Sequence, residues 1–149
     1  MAGILFIGFK GKNNASGRLA GSLSPQCCLL TNSFGGLQKD IEKLPPDCDK
    51  AVLFGVDKNL HDAFRIERFA ENEGVRAASG MDLEELAERF VSRGIKTVLS
   101  DTPTKYLCNA AYGRLIEKYS GNVVLIHIPT GRHFDEAWIP EIRKALIQR

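Results

Sequence analysis

The chain has 149 residues, 44% of them hydrophobic and 26% charged, with a formal charge of +2 at pH 7. A length near ~150 residues is enough for one full core, and the composition is that of an ordinary globular domain, so residues 1–149 are read as a single α/β domain. Lys and Arg are scattered among the acids with no basic block, which excludes the concentrated positive face nucleic acid demands, and no apolar run approaches the ~20 residues of a membrane span.

Met1 to Phe9 is apolar but lacks a charged leader region and a cleavage site. It reads as a first strand over Gly3 to Phe9 rather than a signal peptide. Such a continuous apolar run suits a central strand buried on both faces of a parallel sheet. A polar loop follows over Lys10 to Asn14, then a short helix over Ser16 to Ser22. Cys27 to Thr31 is a second apolar run. Phe34, Leu37, Ile41 and Leu44 recur at helical spacing, and Pro45 and Pro46 close that helix, because the residue before a proline is pushed out of the α region.

Ala51 to Gly55 predicts a third buried strand. The stretch Val56 to Ser79 is the least regular and most polar, and fits either a hairpin or loops around a site. Asp82 can cap a helix whose apolar stripe is Leu83, Leu86, Ala87 and Phe90, with Gly94 beyond its end. Ile95 to Leu99 predicts a fourth strand, Thr104 to Tyr119 a helix, and Asn122 to Ile128 a fifth strand; the tail from Phe134 closes with a helix. Strands alternating with helices on this scale predict a three-layer α/β/α sandwich around a mainly parallel sheet. Ligands in such sheets bind beyond the carboxyl ends of the strands.

Four cysteines, Cys27, Cys28, Cys48 and Cys108, include no CxxC. Without a secretory signal they read as reduced thiols of a cytoplasmic protein. Neither Cys nor His recurs at ligand spacing, so no metal is implied, and no motif asks for a cofactor. GFKGKN lacks the spacing and hydroxyl of a phosphate loop, SFGGLQ reads as a helix hinge or cap, and His61 and His133 read as exposed loop residues.

Two residues stand out chemically. Cys108 falls early in the helix after the fourth strand, with Thr102 and Pro103 as cap and first-turn proline. A helix start stabilises anions and would lower the thiol pKa; the competing reading is a small buried hydrophobe. His127 lies near the carboxyl end of a very apolar strand, as a base facing the thiol or as a hydrogen-bonded core residue. One strand–helix unit then offers a thiol and the next strand an imidazole at the same edge. Glu67, in RIERFAEN, is either the acid that orients the imidazole or a surface partner of Arg65 or Arg68.

These residues resemble those of the pyroglutamyl peptidase (pyrrolidone-carboxylate peptidase) family. SDTPTKYLCNAAYGRL is similar to the nucleophile region, through Ser100, Thr102, Cys108, Asn109 and Tyr112. VVLIHIP is similar to the histidine strand, with His127 before Ile128 and Pro129. RIERFAEN is similar to the acid motif, with Glu67, Arg68, Ala70 and Asn72. ILFIGF followed by Asn14, Ala15 and Ser16 is similar to the first strand and its following turn. The resemblance implies a catalytic triad of Cys108, His127 and Glu67. It also implies oxyanion or substrate binding by Arg76, Phe9 and Asn72, and a small peptide or small-molecule amide as substrate.

The departures from the family pattern are local. Lys10, Gly11 and Lys12 replace the opening loop that supplies a second pocket aromatic. Pro103, Thr104 and Lys105 replace the small residues of the nucleophile turn, and EGVRAASG stands for a longer segment. The expected function is a cysteine-type hydrolase that cleaves a pyroglutamyl or related small N-acyl amide through an acyl-enzyme. Two rivals stand beside it. One is an inactive binding or scaffold protein that retains the fold; the other is an amidase or acyl transferase using Lys10 and Lys12 for an acidic group. Trp138 reads as core packing, and homo-oligomerisation is left open.

Overall fold

The computed structural model describes residues 3–104 and 106–147. Lys105, counted above among the departures of the nucleophile turn, lies outside the described residues, as do Met1, Ala2, Gln148 and Arg149 at the ends of the 1–149 span.

In chain order the elements are β1 (Ile4–Phe9), α1 (Ala15–Leu23), β2 (Cys28–Leu30), α2 (Phe34–Glu42), β3 (Lys50–Val56), β4 (Ala63–Glu67), β5 (Phe69–Asn72) and β6 (Val75–Ala78). There follow α3 (Leu83–Ser92), β7 (Lys96–Ser100), α4 (Leu107–Lys118), β8 (Val123–Ile128) and α5 (Trp138–Ile147). Six strands form one sheet in the order β2-β1-β3-β8-β4-β7, while β5 and β6 pair as a separate hairpin. β2, β1, β3 and β8 run parallel. β4 is antiparallel to β8 and parallel to β7, so the sheet is mixed and mostly parallel.

The sheet is buried on both faces because successive strand side chains alternate. On one face Val52, Phe54, Phe64, Ile66, Val124 and Ile126 pack against the apolar sides of α1, α3 and α5. On the other, Ala51, Leu53, Val123 and Leu125 pack against α2 and α4. The three layers agree with the architecture expected from the alternating pattern. Helix ends follow local chemistry: the Asp82 side chain accepts from Glu85 N at 3.1 Å, and Ser33 Oγ accepts from Gly36 N at 3.1 Å.

One expectation is extended and another corrected. The irregular stretch after β3 contributes an interior strand, β4, as well as a hairpin. Its β5–β6 turn places Glu73 at φ 53 and Gly74 at φ 78, the paired left-handed conformation of a two-residue hairpin turn. Secondly, β7 and α4 do not form a parallel strand–helix unit. Ser100 pairs with Glu67, which faces Leu125 of antiparallel β8, so β7 ends below the level of His127. Thr102 caps no helix; its N–H donates to Ser100 Oγ at 3.2 Å within a local turn. The N-cap is Tyr106, with no side-chain cap bond.

Trp138 packs edge-on against Phe64, with ring centroids 5.3 Å apart, in keeping with a core role. His61 and His133 are exposed and stacked on each other at 4.3 Å. Among the described residues no helix is long and apolar enough to cross a membrane.

Candidate active site

Strand alternation decides which side chains meet. Residues Val124, Ile126 and Ile128 of β8 point to the α1/α3/α5 face, so His127 points to the opposite face, beneath α4. In β4, Phe64 and Ile66 share that first face, which turns Arg65 and Glu67 towards His127. The register sets Arg65 directly opposite His127 and Glu67 opposite Leu125. Two charged residues on the inward face of a buried strand are thereby placed beside an imidazole.

His127 Nδ1 lies 2.8 Å from Glu67 Oε2. Both residues are almost fully buried, at 3% and 1% exposure. The structure thus brings Glu67 to His127 and not to the surface; Arg65 contacts the same oxygen. Arg65 Nε donates to Oε2 at 2.6 Å, and Arg65 Nη2 reaches Asp57 Oδ2 at 2.8 Å. Glu67 Oε1 is buried with no partner among the described residues. Burial alone would raise the Glu67 carboxyl, but the hydrogen bonds from His127 and Arg65 outweigh it and hold the group below its ordinary value. Asp57 is likewise held low: burial opposes its charge, while Asn59 N–H and Arg65 favour it.

Cys108 is the second residue of α4. A Cβ built on Gly55, which pairs with His127 across β3 and β8, would lie 2.5 Å from Cys108 Sγ and 3.2 Å from His127 Nε2. The thiol and the free imidazole nitrogen therefore flank one small space that exists only because residue 55 has no side chain. The Leu107 and Cys108 N–H groups belong to the first turn, where helix donors lack intrahelical acceptors. They can stabilise a developing oxyanion.

The expected depression of the thiol pKa is not observed. Burial pushes Cys108 up to about 12, with the negative charge of Glu67 adding to the effect. The helix start is outweighed because the thiol faces a carboxylate network in a desolvated pocket. Cys108 is thus a thiol at rest.

Asn109 fixes this helix start to the hairpin. Its Oδ1 accepts from Glu71 N at 2.9 Å and its Nδ2 donates to Glu71 O at 2.7 Å. Tyr112, one turn further on, donates to the Glu67 carbonyl at 2.8 Å. Asn72, expected at the substrate, instead donates to Asn109 O at 3.4 Å and accepts from Asn109 Nδ2 at 3.1 Å. Arg76, expected at the oxyanion, pairs with Glu71 at 3.2 Å and lies over the Phe69 ring at 4.7 Å. The structure does not bring Asn72 or Arg76 to the cavity beside Cys108.

That cavity, of about 400 Å³, is lined by Cys108 and Leu107, by Phe9 and Val56 at the strand ends, and by Phe34 and Tyr106. Asn14 and Asn32 supply its polar groups. Phe34 at the start of α2 and Tyr106 before α4 add two further aromatic side chains to its wall. Sequence reasoning also missed Gly55 and Asp57, and weighed an Arg65–Glu67 pair only at the surface rather than in the site. A glycine inside an apolar strand signals a close approach, and the inward charge of β4 was hidden by its polar alternation.

Solved structures that share this fold include pyrrolidone carboxyl peptidases. That from Thermus thermophilus superposes with a TM-score of 0.76 at 18% identity, over 98% of this chain and 98% of its own. The enzyme from Thermococcus litoralis gives 0.74 at 17% identity, over 98% and 92%. That from Fervidobacterium islandicum AW-1 gives 0.74 at 18%, over 98% and 95%. No family model matches the sequence, and no curated protein does either. The chain therefore has the pyrrolidone carboxyl peptidase fold, at identities that speak for the fold alone.

Proposed function

We propose that this chain is a cysteine-type hydrolase of the cytoplasm that cleaves the amide bond of an N-terminal pyroglutamyl or related small N-acyl group. The observation that supports it most is the buried Glu67–His127 contact of 2.8 Å with Cys108 Sγ and His127 Nε2 bordering the same space over Gly55. A carboxylate only accepts, so Nδ1 carries the proton and Nε2 is left as a base towards the thiol.

In this reading Cys108 Sγ bonds to the acyl carbon as its proton passes to His127 Nε2. The carbonyl electrons move to oxygen, where the Cys108 N–H and the helix start receive them; one such donor is worth ~10²–10³ in turnover. Collapse breaks the carbon–nitrogen bond, and Nε2 returns the proton to the departing amine. Water, deprotonated by the same nitrogen, then releases the acid and regenerates the thiol. Arg76 has no part in this scheme, since its charge is engaged by Glu71. The aromatic walls of Phe9, Phe34 and Tyr106 suit a neutral acyl group.

The test is a panel of small N-acyl amides with a chromogenic amine, pyroglutamyl included, on wild type and Cys108→Ala. Turnover that vanishes in the variant, with an acyl adduct on Cys108 by mass spectrometry, supports the reading. Silence across the panel with no adduct refutes it. The high thiol pKa of Cys108 is the observation favouring the second reading, a binding protein that keeps the fold without the chemistry.

A further inference from the structure

One guanidinium nitrogen in this site has two suitors. Arg65 Nη2 stands 2.8 Å from Asp57 Oδ2 and 3.3 Å from His127 Nδ1. A guanidinium only donates. Were it to donate to Nδ1, that nitrogen would have to be the acceptor, the ring proton would sit on Nε2, and the base facing Cys108 would be lost. Glu67 favours the opposite tautomer, accepting from Nδ1 on the same Oε2 that accepts from Arg65 Nε at 2.6 Å. Arg65 therefore stabilises the triad acid with one nitrogen and competes for the imidazole with another.

Asp57 decides that competition. It follows β3, and its N–H donates to Ile128 O at 3.0 Å, which fixes it at the carboxyl edge beside β8. We propose that Asp57 and Arg65 are positioning residues of the site: Asp57 holds the Arg65 guanidinium off His127 Nδ1, so that Nδ1 keeps its proton for Glu67 and Nε2 remains a base towards Cys108. The consequence for reactivity rests on the hydrolase reading above; the tautomer itself does not. The charged and titratable groups around the imidazole are Asp57 beyond β3, Arg65 and Glu67 of β4 and Cys108 of α4.

The test reads both. Nitrogen-15 shifts of the His127 ring report the tautomer directly, and iodoacetamide alkylation of Cys108 across pH reports the base. Wild type is expected to show a protonated Nδ1. Asp57→Ala is expected to move the proton towards Nε2 and to slow Cys108 alkylation about tenfold, a fraction of the ~10⁴ that the wrong tautomer costs a triad. In an Arg65→Met background the same Asp57→Ala change is expected to do nothing, since the competitor is gone; this coupling is what a merely structural aspartate would not show. The proposal is overturned by a proton on Nε2 in wild type, by Asp57→Ala leaving both readouts unmoved, or by an equal Asp57→Ala loss with and without Arg65. Should Asp57→Ala fail to fold, the wild-type tautomer and the Arg65→Met alkylation profile still decide. If wild-type Cys108 alkylates no faster than Cys27, Cys28 and Cys48, the hydrolase reading falls while the nitrogen-15 result still judges Asp57 and Arg65.

Discussion

Gly55→Ala isolates the geometry of the candidate site from its chemistry. Gly55 is not among the residues with positive φ, so alanine suits its backbone, and in an open strand the change would stabilise by ~0.5–1 kcal/mol. Here the added methyl would sit 2.5 Å from Cys108 Sγ, 3.1 Å from His127 Cδ2 and 3.2 Å from His127 Nε2. A methyl carbon is at ease against non-bonded atoms only from about 3.5 Å, and α4 cannot withdraw freely because Asn109 and Tyr112 tie it to the hairpin and to Glu67. The thiol must rotate away or the imidazole must shift. Overpacking of this kind costs ~1–3 kcal/mol, and a misplacement of ~1 Å costs ~10² in rate. The expected result is a net loss of ~1–2 kcal/mol in urea unfolding and a drop of about a hundredfold in Cys108 alkylation. Adding Cys108→Ala should recover most of the stability, since the shortest clash is with Sγ. A Gly55→Ala protein as stable and as reactive as wild type would refute the placement of Cys108 beside His127.

Three further outcomes follow from the same contacts. Glu67→Gln removes the charge that two donors share; breaking such a buried pair costs ~3–5 kcal/mol, and calorimetry should show it together with a large loss of Cys108 reactivity. Asn109→Ala leaves the Glu71 N–H and C=O of the hairpin edge without partners, costing ~1–3 kcal/mol, and hydrogen exchange should rise first in β5 and β6. On pH, Glu67 and Asp57 have folded values below their unfolded ones. Their stabilisation is present above ~4 and is lost as pH falls through the folded values. Cys108 is raised to about 12, so above the unfolded thiol value of ~8.5 the unfolded chain releases a proton the folded chain keeps, and stability falls by up to ~1.4 kcal/mol per pH unit. Cys108→Ala should therefore flatten the alkaline side of the stability curve relative to wild type; equal slopes would mean the thiol is not buried as described.

How much of this was legible before the fold is clearest in particular residues. The apolar runs around Ile7, Leu53 and Leu125 read as buried strands, and the stripe Leu83, Leu86, Phe90 as the inner face of a helix, because burial and local periodicity are properties of a few neighbouring residues. Cys108, His127 and Glu67 were legible through their motifs. Their meeting was not: it depends on β4 entering the sheet antiparallel to β8 with Arg65 opposite His127, and pairing and register join segments about sixty residues apart that carry no local mark of each other. RIE in β4 alternates like a strand with one wet face, and only the cover of α4 and the hairpin turns that polar face into a buried site. Arg76 and Asn72 went the other way, drawn to Glu71 and Asn109 by the hairpin turn at Glu73 and Gly74. The sequence by itself determined the apolar strands, the helices and the candidate site residues Cys108, His127 and Glu67. The tertiary structure decided which face each of them shares, because strand order, direction and register are settled by long-range packing.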